Sequence, residues 1–473
     1  MTENSARPFR GSPRIVILGG GVGGLAAARH MQHLFRRSDA DIVLVSRDNF
    51  FLLPPLLFEA CSGVLELRHC AQPIRPCLRR VRFMEATVLD VDVGAQLVHA
   101  RPAAGAAFEL PYDHLVVALG ASTDLRLIPG SERALTFKTV ADALHLRNRM
   151  IERFEHADIE PDPERRRRLL TVVVVGGGLV GTELLGELTA FADAVLRYYP
   201  LVRREDVRFH LFEAGPRLMP ESTLRLGAYA TRVLERRGVQ LHLATPVDAI
   251  EPGIVRSKDG VIEADTVLLA AGIVPSAVAA SIAVERDGKG RIVTLPTLRS
   301  ASHAQIWGIG DAASVPAPGG GRYPALAQHA TRQGKAVAHN VHAAVTGKRK
   351  LVPFTFRALG TMAAFGHNRA AADLRGLPLS GFIAWWLRRT YYLFQIPRWD
   401  TRLRIAIDWT ISLFFRPDIT KVQLATEREQ DRALNTNRTG QLTARHSRGH
   451  SAGESEQRAP QRSGVQSSSE SER

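Results

Sequence analysis

Hydrophobic and polar positions follow the same order twice along the chain. An apolar run at residues 14–18 precedes a glycine-rich turn at 19–24, a helical pattern at 25–35 and a second apolar run at 42–45. Residues 170–213 repeat this order, with apolar runs at 170–175 and 207–212 on either side of a glycine turn at 176–181 and a helical pattern at 182–198. Strand, turn, helix and strand make a βαβ unit. The sequence therefore predicts two such units, offset by 157 residues.

Shorter patterns fill the rest of the chain. Apolar runs at 112–120 and 264–272 each end in glycine, and a third at 305–311 ends in Gly-Asp. Such runs are typical of strands that end beside a ligand. Residues 158–168 carry two prolines and four consecutive arginines, which predicts an exposed linker. From about residue 426 the chain has almost no aliphatic residues, which predicts disorder.

Both glycine turns fit the pattern G-x-G-x-x-G. The first turn has Gly19, Gly21 and Gly24, and the second has Gly176, Gly178 and Gly181. The first glycine of such a turn permits the tight bend, the second lets the backbone approach a pyrophosphate, and the third lets helix and strand pack closely. A turn without a ligand is the alternative for one copy alone. Two copies favour dinucleotide binding.

The residue that ends the second strand differs between the units. Glu213 stands there in the second unit, where a carboxylate can accept both ribose hydroxyls and repel a 2′-phosphate. This favours NADH over NADPH, the alternative being that Glu213 only caps the loop. In the first unit the position is Ser46, whose hydroxyl can bind ribose more weakly.

Composition excludes several classes of protein. The chain has 473 residues, 45% hydrophobic and 23% charged, which predicts two to four globular domains. Its three cysteines form no C-x-x-C pair, so we expect neither a disulfide scaffold nor a thiol redox motif, and no metal site. Residues 1–14 do not resemble a secretory signal. No uncharged apolar run is long enough to span a bilayer, so we expect no transmembrane segment.

The net charge of +15 is concentrated in one stretch. Residues 348–421 contain 13 Lys/Arg against 4 Asp/Glu, together with four of the five tryptophans. Basic and aromatic residues together indicate an anionic partner, either a lipid surface or a nucleic acid. Because no nucleic-acid-binding signature accompanies the charge, we predict no nucleic-acid partner.

Two segments carry the aromatic residues of this stretch, at 380–396 and 402–416. Arg388 and Arg389 interrupt the first, so it is not a spanning helix. In the second, an apolar helical face opposes a polar one; the apolar face contains Leu403, Ala406, Ile407, Ile411 and Phe414. We predict that both lie on the membrane, with rings at the headgroups and arginines toward anionic lipid. The alternative is packing on their own domain or in a homodimer.

The motifs together resemble a known family. The two units, the strand ends at Gly120 and Gly272, and Gly310-Asp311 are similar to the two-dinucleotide flavoprotein reductases. Within that superfamily the chain resembles type II NADH dehydrogenase, the single-subunit NADH:quinone oxidoreductase. Further similarity lies in residues 49–59, 181–184 and 323–330, and the resemblance spans about 13–421.

The resemblance implies an α/β fold with two Rossmann-like domains, the NADH domain inserted in the FAD domain, and a C-terminal amphipathic helical segment. The implied boundaries are 12–125 and 296–370 for the FAD domain, 126–295 for the NADH domain, 371–425 for the membrane-associating region and 426–473 for the tail. The implied FAD-binding residues are Gly19, Gly21, Gly24, Ser46, Gly120, Gly310 and Asp311, and the implied NADH-binding residues are Gly176, Gly178, Gly181, Glu213 and Gly272. The resemblance places Glu183 near nicotinamide and flavin, and Gln328 at the quinone end of the flavin, as catalytic residues.

The implied reaction is hydride transfer from NADH to FAD, followed by two-electron reduction of a membrane quinone without proton pumping, at the cytoplasmic face of the cell membrane. Cys61 and Cys70 do not match the C-x4-C pair of the related disulfide reductases, which favours direct electron transfer from flavin to a small acceptor. The alternatives are a reductase of a soluble acceptor and a non-enzymatic NADH-sensing flavoprotein. Deletion from Ser380 onward is expected to release the protein from membranes while sparing turnover with soluble quinone.

Overall fold

Each predicted βαβ unit forms a parallel sheet of its own. The computed structural model describes residues 11–422 except 37, 359 and 367. The tail at 426–473, for which we predict disorder, lies outside the described residues.

The first unit opens a region that runs to residue 123. Its elements are β1 (Arg14–Leu18), α1 (Val22–Leu34), β2 (Asp41–Ser46), β3 (Phe50–Leu52), α2 (Pro54–Cys61), α3 (Leu67–Cys70), β4 (Ala71–Pro73), β5 (Arg82–Glu85), β6 (Thr87–Asp92), β7 (Leu97–Arg101), β8 (Phe108–Pro111), β9 (His114–Val117) and β10 (Ala121–Thr123). All five residues of β1 are buried, as expected of a parallel strand covered on both faces.

The second unit lies within a region that spans residues 140–293. Its elements are α4 (Val140–Ile159), α5 (Pro163–Leu169), β11 (Thr171–Val175), α6 (Leu179–Val195), β12 (Arg208–Phe212), α7 (Leu224–Arg236), β13 (Val239–His242), β14 (Val247–Glu251), β15 (Ile254–Ser257), β16 (Gly260–Glu263), β17 (Thr266–Leu269), β18 (Ile273–Pro275), α8 (Ala277–Ser281) and β19 (Ile292–Val293). Four strands form a parallel sheet in the order β13-β12-β11-β17.

The chain then returns to the first sheet. The remaining elements are β20 (Ile306–Gly308), β21 (Ala313–Ser314), α9 (Ala327–Thr346), β22 (Thr361–Ala364), β23 (Ala370–Leu374), β24 (Leu377–Gly381), α10 (Phe382–Gln395) and α11 (Trp399–Phe414). The first sheet has the order β20-β9-β1-β2-β5 and is parallel throughout. Helix α9 packs on α1, and a Cβ at Gly334 would lie 2.3 Å from the carbonyl oxygen of Gly23.

A short antiparallel pair joins the two sheets. Strand β10 follows the first-sheet strand β9 and pairs with β18, which follows β17 of the second sheet. Hydrogen bonds flank the pair: Asp124 N donates to Gly272 O at 3.0 Å, and Ser276 N donates to Gly120 O at 3.2 Å. The backbone itself therefore fixes the carboxyl ends of β9 and β17 relative to each other.

The segment predicted to be a linker contains a helix. Helix α5 begins with Pro163 at its first turn and Asp162 as N-cap, whose carboxylate accepts a hydrogen bond from Glu164 N at 3.0 Å. Proline fits this position because its missing N–H is not needed there. The four arginines thus lie on a helical turn that leads directly into β11.

The C-terminal helices are partly built into the core. Helix α10 buries Trp385, and α11 buries Ile405 and Trp409. Their opposite sides expose a set of large apolar residues: Phe382, Ile383, Trp386, Phe394, Trp399, Leu403, Ile407, Ile411, Leu413 and Phe414. No helix in the described ranges is long and apolar enough to cross a bilayer.

Candidate active site

The two glycine turns have the same backbone geometry. Gly21 caps α1 with φ −68° and ψ −175°, and Gly178 caps α6 with φ −69° and ψ −173°. The amide of the first glycine donates to the end of the second strand in both, from Gly19 to Val45 O and from Gly176 to Phe212 O, each at 2.8 Å.

Only glycine fits the first and third positions of each turn. Gly19 has φ +102°, and a Cβ there would lie 2.3 Å from Ala118 O; Gly176 has φ +113°, and a Cβ there would lie 2.8 Å from the carbonyl carbon of Ala270. A Cβ at Gly24 would lie 1.9 Å from Gly19 O, and one at Gly181 would lie 2.0 Å from Gly176 O. By contrast, no atom lies within 4 Å of a Cβ built at Gly21, so the backbone there is open to a phosphate group. The residues of the first turn therefore fit a bound dinucleotide, whereas at the second turn a Cβ at Gly178 would lie 3.3 Å from Glu221 Oε1.

The strand-end residues meet the turns in different ways. The Ser46 hydroxyl is buried, and a Cβ at Gly20 would lie 2.6 Å from it. The Glu213 carboxylate accepts hydrogen bonds from Gly177 N at 2.7 Å and from Gly215 N at 2.8 Å. These bonds cap the loop and also fix the carboxylate against the turn, where it can meet a ribose.

The second turn is also contacted by Glu221, a carboxylate that the sequence analysis did not identify. Glu221 Oε1 accepts a hydrogen bond from Leu179 N, the first residue of α6. Helix N-termini favour negative charge, which explains why this exposed carboxylate lies there. Glu221 therefore occupies part of the anion-binding end of α6.

Gly310 and Asp311 lie where β20 ends in the first sheet. Gly310 N donates to Gln333 Oε1 at 2.8 Å, so the helix α9 holds this turn in place. Burial raises the pKa of Asp311, and the nearby Lys138 opposes the rise. Gln333 and Lys138 were missed because neither belongs to a motif.

Gln328 lies in the first turn of α9 and is partly buried. Its backbone oxygen accepts a hydrogen bond from Arg332 Nη1 at 3.1 Å, and the Arg332 guanidinium lies 4.3 Å from the ring centre of Phe356. Gln328 therefore starts a helix that runs from the Gly310 turn along the first βαβ unit.

Glu183 lies in the interior, two residues beyond the last glycine of the second turn. Its Oε1 accepts hydrogen bonds from Ala364 N at 2.8 Å and from Arg388 Nη2 at 3.0 Å. Burial raises the pKa of Glu183, and Arg388 counteracts this rise. Helix α10 thus reaches helix α6 of the second βαβ unit through one ion pair.

Both arginines of α10 are buried, which corrects the prediction that they point toward lipid. Arg388 is 1% exposed and Arg389 is 6% exposed. Arg388 Nη1 lies 3.3 Å from Glu59 Oε1, and Arg389 Nη2 lies 3.2 Å from Glu59 Oε2. Trp409 Nε1 donates to the same Glu59 carboxylate at 2.6 Å. A buried charge requires such partners, and an arginine pair inside an apolar helix could have indicated them.

Glu187 is a third buried carboxylate, one helical turn after Glu183. Its Oε2 accepts a hydrogen bond from Ser62 Oγ at 3.0 Å. Burial, followed by repulsion from Glu59, raises the pKa of Glu187 to about 7. We call Glu59, Glu183, Glu187, Arg388 and Arg389 the ionic cluster; its three carboxylates outnumber its two guanidinium groups.

The cysteines do not act as an exposed redox pair. Cys61 and Cys70 are buried and free, and Cys70 Sγ donates to Leu56 O at 3.3 Å. Burial raises the pKa of Cys61 to about 12 and that of Cys70 as well. Because the thiolate is the reactive form, these thiols are unreactive.

Sequence comparison identifies the family. Residues 13–334 match the pyridine nucleotide-disulphide oxidoreductase family. The type II NADH:quinone oxidoreductase Ndh of Mycobacterium tuberculosis is 30% identical, over 87% of this chain and 90% of that protein. The related NdhA of the same organism is 32% identical, over 88% of this chain and 91% of its own length. The chain belongs to the type II NADH dehydrogenase family. It is a flavoprotein oxidoreductase that uses FAD and NADH, as predicted.

A solved structure shows the same fold. The structure of NDH2 from Plasmodium falciparum in complex with NADH has a TM-score of 0.79 at 18% identity. The match covers 87% of this chain and 100% of the Plasmodium falciparum chain. The predicted α/β class is therefore confirmed.

Proposed function

We propose that the chain is a single-subunit, non-proton-pumping NADH:quinone oxidoreductase. The observation that carries this proposal is the β10–β18 pair, which holds the carboxyl ends of the two sheets together. Ligands of α/β sheets bind outside the carboxyl ends of the strands. Two dinucleotides bound at the two glycine turns would therefore meet beside Gly120 and Gly272.

The first sheet would hold FAD, and the second would hold NADH. FAD, when bound, supplies the redox chemistry by accepting electrons from one substrate and passing them to another. Gly19, Gly21, Gly24 and Ser46 would bind its adenosine end, and Gly310 and Asp311 its ribityl chain. Gly176, Gly178, Gly181 and Glu213 would bind NADH. The return of β20 to the first sheet supports the proposed domain division, with the NADH domain inserted in the FAD domain.

Glu183 and Gln328 are proposed as the residues at the reacting end. Glu183 follows the NADH turn directly, and its buried carboxylate is fixed by Ala364 and Arg388. We assign it the orientation of the nicotinamide or the relay of a proton. Gln328, partly buried at the start of α9, would line the acceptor pocket.

The exposed apolar sides of α10 and α11 support attachment to a membrane surface. The face of α11 predicted to be apolar is the side that the structure exposes, including Leu403, Ile407 and Ile411. Contiguous exposed apolar surface marks an interaction site. We propose that this side lies in the lipid interface at the cytoplasmic face of the cell membrane, where a quinone is available. Packing in a homodimer remains the alternative.

An absorption spectrum of the purified protein tests the redox proposal. We expect a bound flavin whose absorbance is lost on anaerobic addition of NADH and restored by a soluble quinone analogue. Persistent reduced flavin would favour the NADH sensor, and reoxidation only by a soluble electron carrier would favour the other reductase. A colourless protein that cannot be reconstituted with FAD would contradict the proposal.

Glu183→Gln tests the proposed role of Glu183 in the holoenzyme. Losing a charged hydrogen-bond acceptor costs about 1.5–3 kcal/mol, so flavin reduction or quinone turnover should slow by about 10-fold to 100-fold. The thermal transition and flavin content should stay close to those of the unmodified protein. Unchanged rates would remove Glu183 from the site.

The test of membrane attachment uses substitutions on the exposed sides of α10 and α11 rather than a deletion. A deletion from Ser380 onward would also remove the last two residues of β24 and leave Glu59 and Glu183 buried without Arg388, so it would not change the membrane contact alone. We expect a combined Ile383→Ser, Trp386→Ser and Phe414→Ser variant to leave the membrane fraction and keep turnover. The control changes three exposed apolar residues elsewhere, Ile159, Leu201 and Leu224, to serine. Equal binding of both variants to vesicles would contradict attachment by this side.

A further inference from the structure

Arg388 connects three helices in the interior of the protein. It lies on α10, and its guanidinium donates to Glu183 Oε1 on α6 at 3.0 Å and to Glu59 Oε1 on α2 at 3.3 Å. It also donates to the backbone oxygen of Pro55 at 3.0 Å. One side chain of α10 thus joins α6, the helix of the NADH turn, to α2.

The Glu183 carboxylate depends on this contact for its counter-charge. Among the described residues, the hydrogen-bond donors at its Oε1 are Ala364 N and Arg388 Nη2. Arg389, the other arginine of the ionic cluster, pairs with Glu59 instead. An ionised carboxylate in the interior is costly unless it is paired and hydrogen-bonded.

The geometry of the contact needs an arginine. Its planar fork presents several donors at fixed angles, so one side chain can bridge two carboxylates and a carbonyl oxygen. A lysine would carry the charge at a single atom and could not span all three acceptors in the same way. The Arg388 guanidinium also lies 5.1 Å from the ring centre of Tyr392, which restricts it from another side.

We propose that Arg388 is a positioning residue, which holds the Glu183 carboxylate in place and so links α10, the helix proposed to attach to the membrane, to the NADH-side helix α6. This inference rests on the proposed role of Glu183 in the reaction. Arg388 acts through Glu183 and is not assigned any contact with substrate.

The charged groups that face Glu183 determine the direction in which its pKa shifts when one of them is removed. From α10 the cation Arg388 lowers the pKa of Glu183, and Tyr392 lies on the same helix; from α2 the carboxylate of Glu59 raises it. Removing the cation must therefore move the titration of Glu183 to higher pH. Removing the Glu59 charge must move it to lower pH, because Arg388 then has one competing carboxylate fewer.

The test compares three variants of the holoenzyme by stopped-flow reduction of the flavin with NADH from pH 5 to 9. We expect Arg388→Gln to shift the pH profile to higher pH and Glu59→Gln to shift it to lower pH. Arg389→Gln, the matched control, also removes a buried cation next to Glu59 and should leave the profile close to that of the unmodified protein. Destabilisation alone cannot produce opposite shifts. Shifts in the same direction, or equal effects of Arg388→Gln and Arg389→Gln, would overturn the proposal.

Hydrogen exchange of the Ala364 amide supplies a readout that does not depend on turnover. Because this amide donates to Glu183, its exchange should become at least about 10-fold faster in Arg388→Gln than in Arg389→Gln. If Arg388→Gln does not fold, Arg388→Lys keeps the charge without the bridge and should show the same change to a smaller extent. Unchanged exchange would refute the positioning role. Normal turnover in Glu183→Gln together with faster exchange in Arg388→Gln would refute only the proposed role of Glu183 in the reaction.

Discussion

The two glycine turns differ little in their backbone and greatly in their surroundings. Both bend at a positive-φ glycine, both crowd the third glycine against the first, and both start a helix. At the end of the second strand, however, one has the neutral Ser46 and the other the Glu213 carboxylate, bonded to two amides. The backbone of such a turn is therefore a general phosphate site, and the neighbouring side chains decide which dinucleotide it suits.

The helices after the turns differ in the same way. Applying the offset of 157 residues, Glu183 and Glu187 of α6 correspond to Ala26 and His30 of α1. His30 makes a local contact, with Nδ1 2.8 Å from Ala26 O, whereas the two glutamates enter the ionic cluster. One helix thus has a packing role, and the other also carries charge into the interior.

The largest expected effect comes from replacing the third glycine of either turn by alanine. A Cβ at Gly24 or Gly181 would meet a backbone oxygen at 1.9 or 2.0 Å. Overpacking of this kind costs about 1–3 kcal/mol or more, enough for about a 10-fold to 100-fold loss of affinity. Gly24→Ala should yield protein with little flavin, and Gly181→Ala should keep flavin that NADH reduces poorly. Absorbance spectra distinguish them, with Gly288→Ala, an open position, as control. Loss of flavin in Gly181→Ala would show that the turns are not independent.

A smaller effect, on stability, follows from the buried charge of α6. Glu187 has a pKa of about 7 in the folded protein, raised from an ordinary value near 4.5. Between these two pKa values the Glu187 carboxyl is ionised in the unfolded chain but still protonated in the folded protein. The free energy of unfolding therefore falls by up to about 1.4 kcal/mol for each unit that the pH rises. Glu187→Gln cannot lose the proton, so its free energy of unfolding should rise relative to the unmodified protein from pH 5 to 7 and then level off. Urea denaturation at four pH values measures this; parallel curves would contradict the raised pKa.

Exchanging the strand-end residues comes next. Glu213→Ser makes the second turn similar to the first and removes a charged acceptor, a loss of about 1.5–3 kcal/mol. We expect KM for NADH to rise by about 10-fold to 100-fold and the preference over NADPH to weaken. Ser46→Ala, the corresponding change in the first turn, removes one neutral hydroxyl and should weaken FAD by about 10-fold at most. Steady-state kinetics measure the KM of Glu213→Ser, and flavin release measures the FAD affinity of Ser46→Ala. An unchanged KM would mean that Glu213 only caps the loop.

The smallest effect concerns Glu221 at the start of α6. A charge at a helix N-terminus contributes about 0.3–1 kcal/mol. Glu221→Gln should therefore ease the approach of the NADH phosphates and lower KM by about 2-fold to 5-fold, at low ionic strength above all. Glu235→Gln, an exposed change on α7, is the control. A higher KM would show that Glu221 assists binding.

Local sequence patterns predicted the parts of the fold in which a few neighbouring residues determine the structure. The strands of both βαβ units were located to within one residue, because continuous apolar runs next to glycine turns have few alternative structures. The C-terminal segments were harder to interpret. Ile405 and Trp409 blur the boundary between the predicted apolar and polar faces of α11, and these are the residues that the core buries.

The partners of the buried arginines could not be identified from the sequence because they lie far away along the chain. Glu59 is separated from Arg388 by more than three hundred residues, and no spaced motif contains both. Basic residues between apolar ones also occur in interfacial helices, which led to the incorrect orientation of both arginines. Only the three-dimensional arrangement shows that a carboxylate on α2 and another on α6 meet them.

The late return of β20 has a consequence for biosynthesis. Strand β9 ends at Val117, but its neighbour at the sheet edge begins only at Ile306, after the whole second sheet has been made. Chains emerge from the ribosome amino end first, and domains fold as units when their residues are available. The second sheet can thus fold while the first still lacks an edge, so the nascent chain completes its first sheet only after β20 has been made.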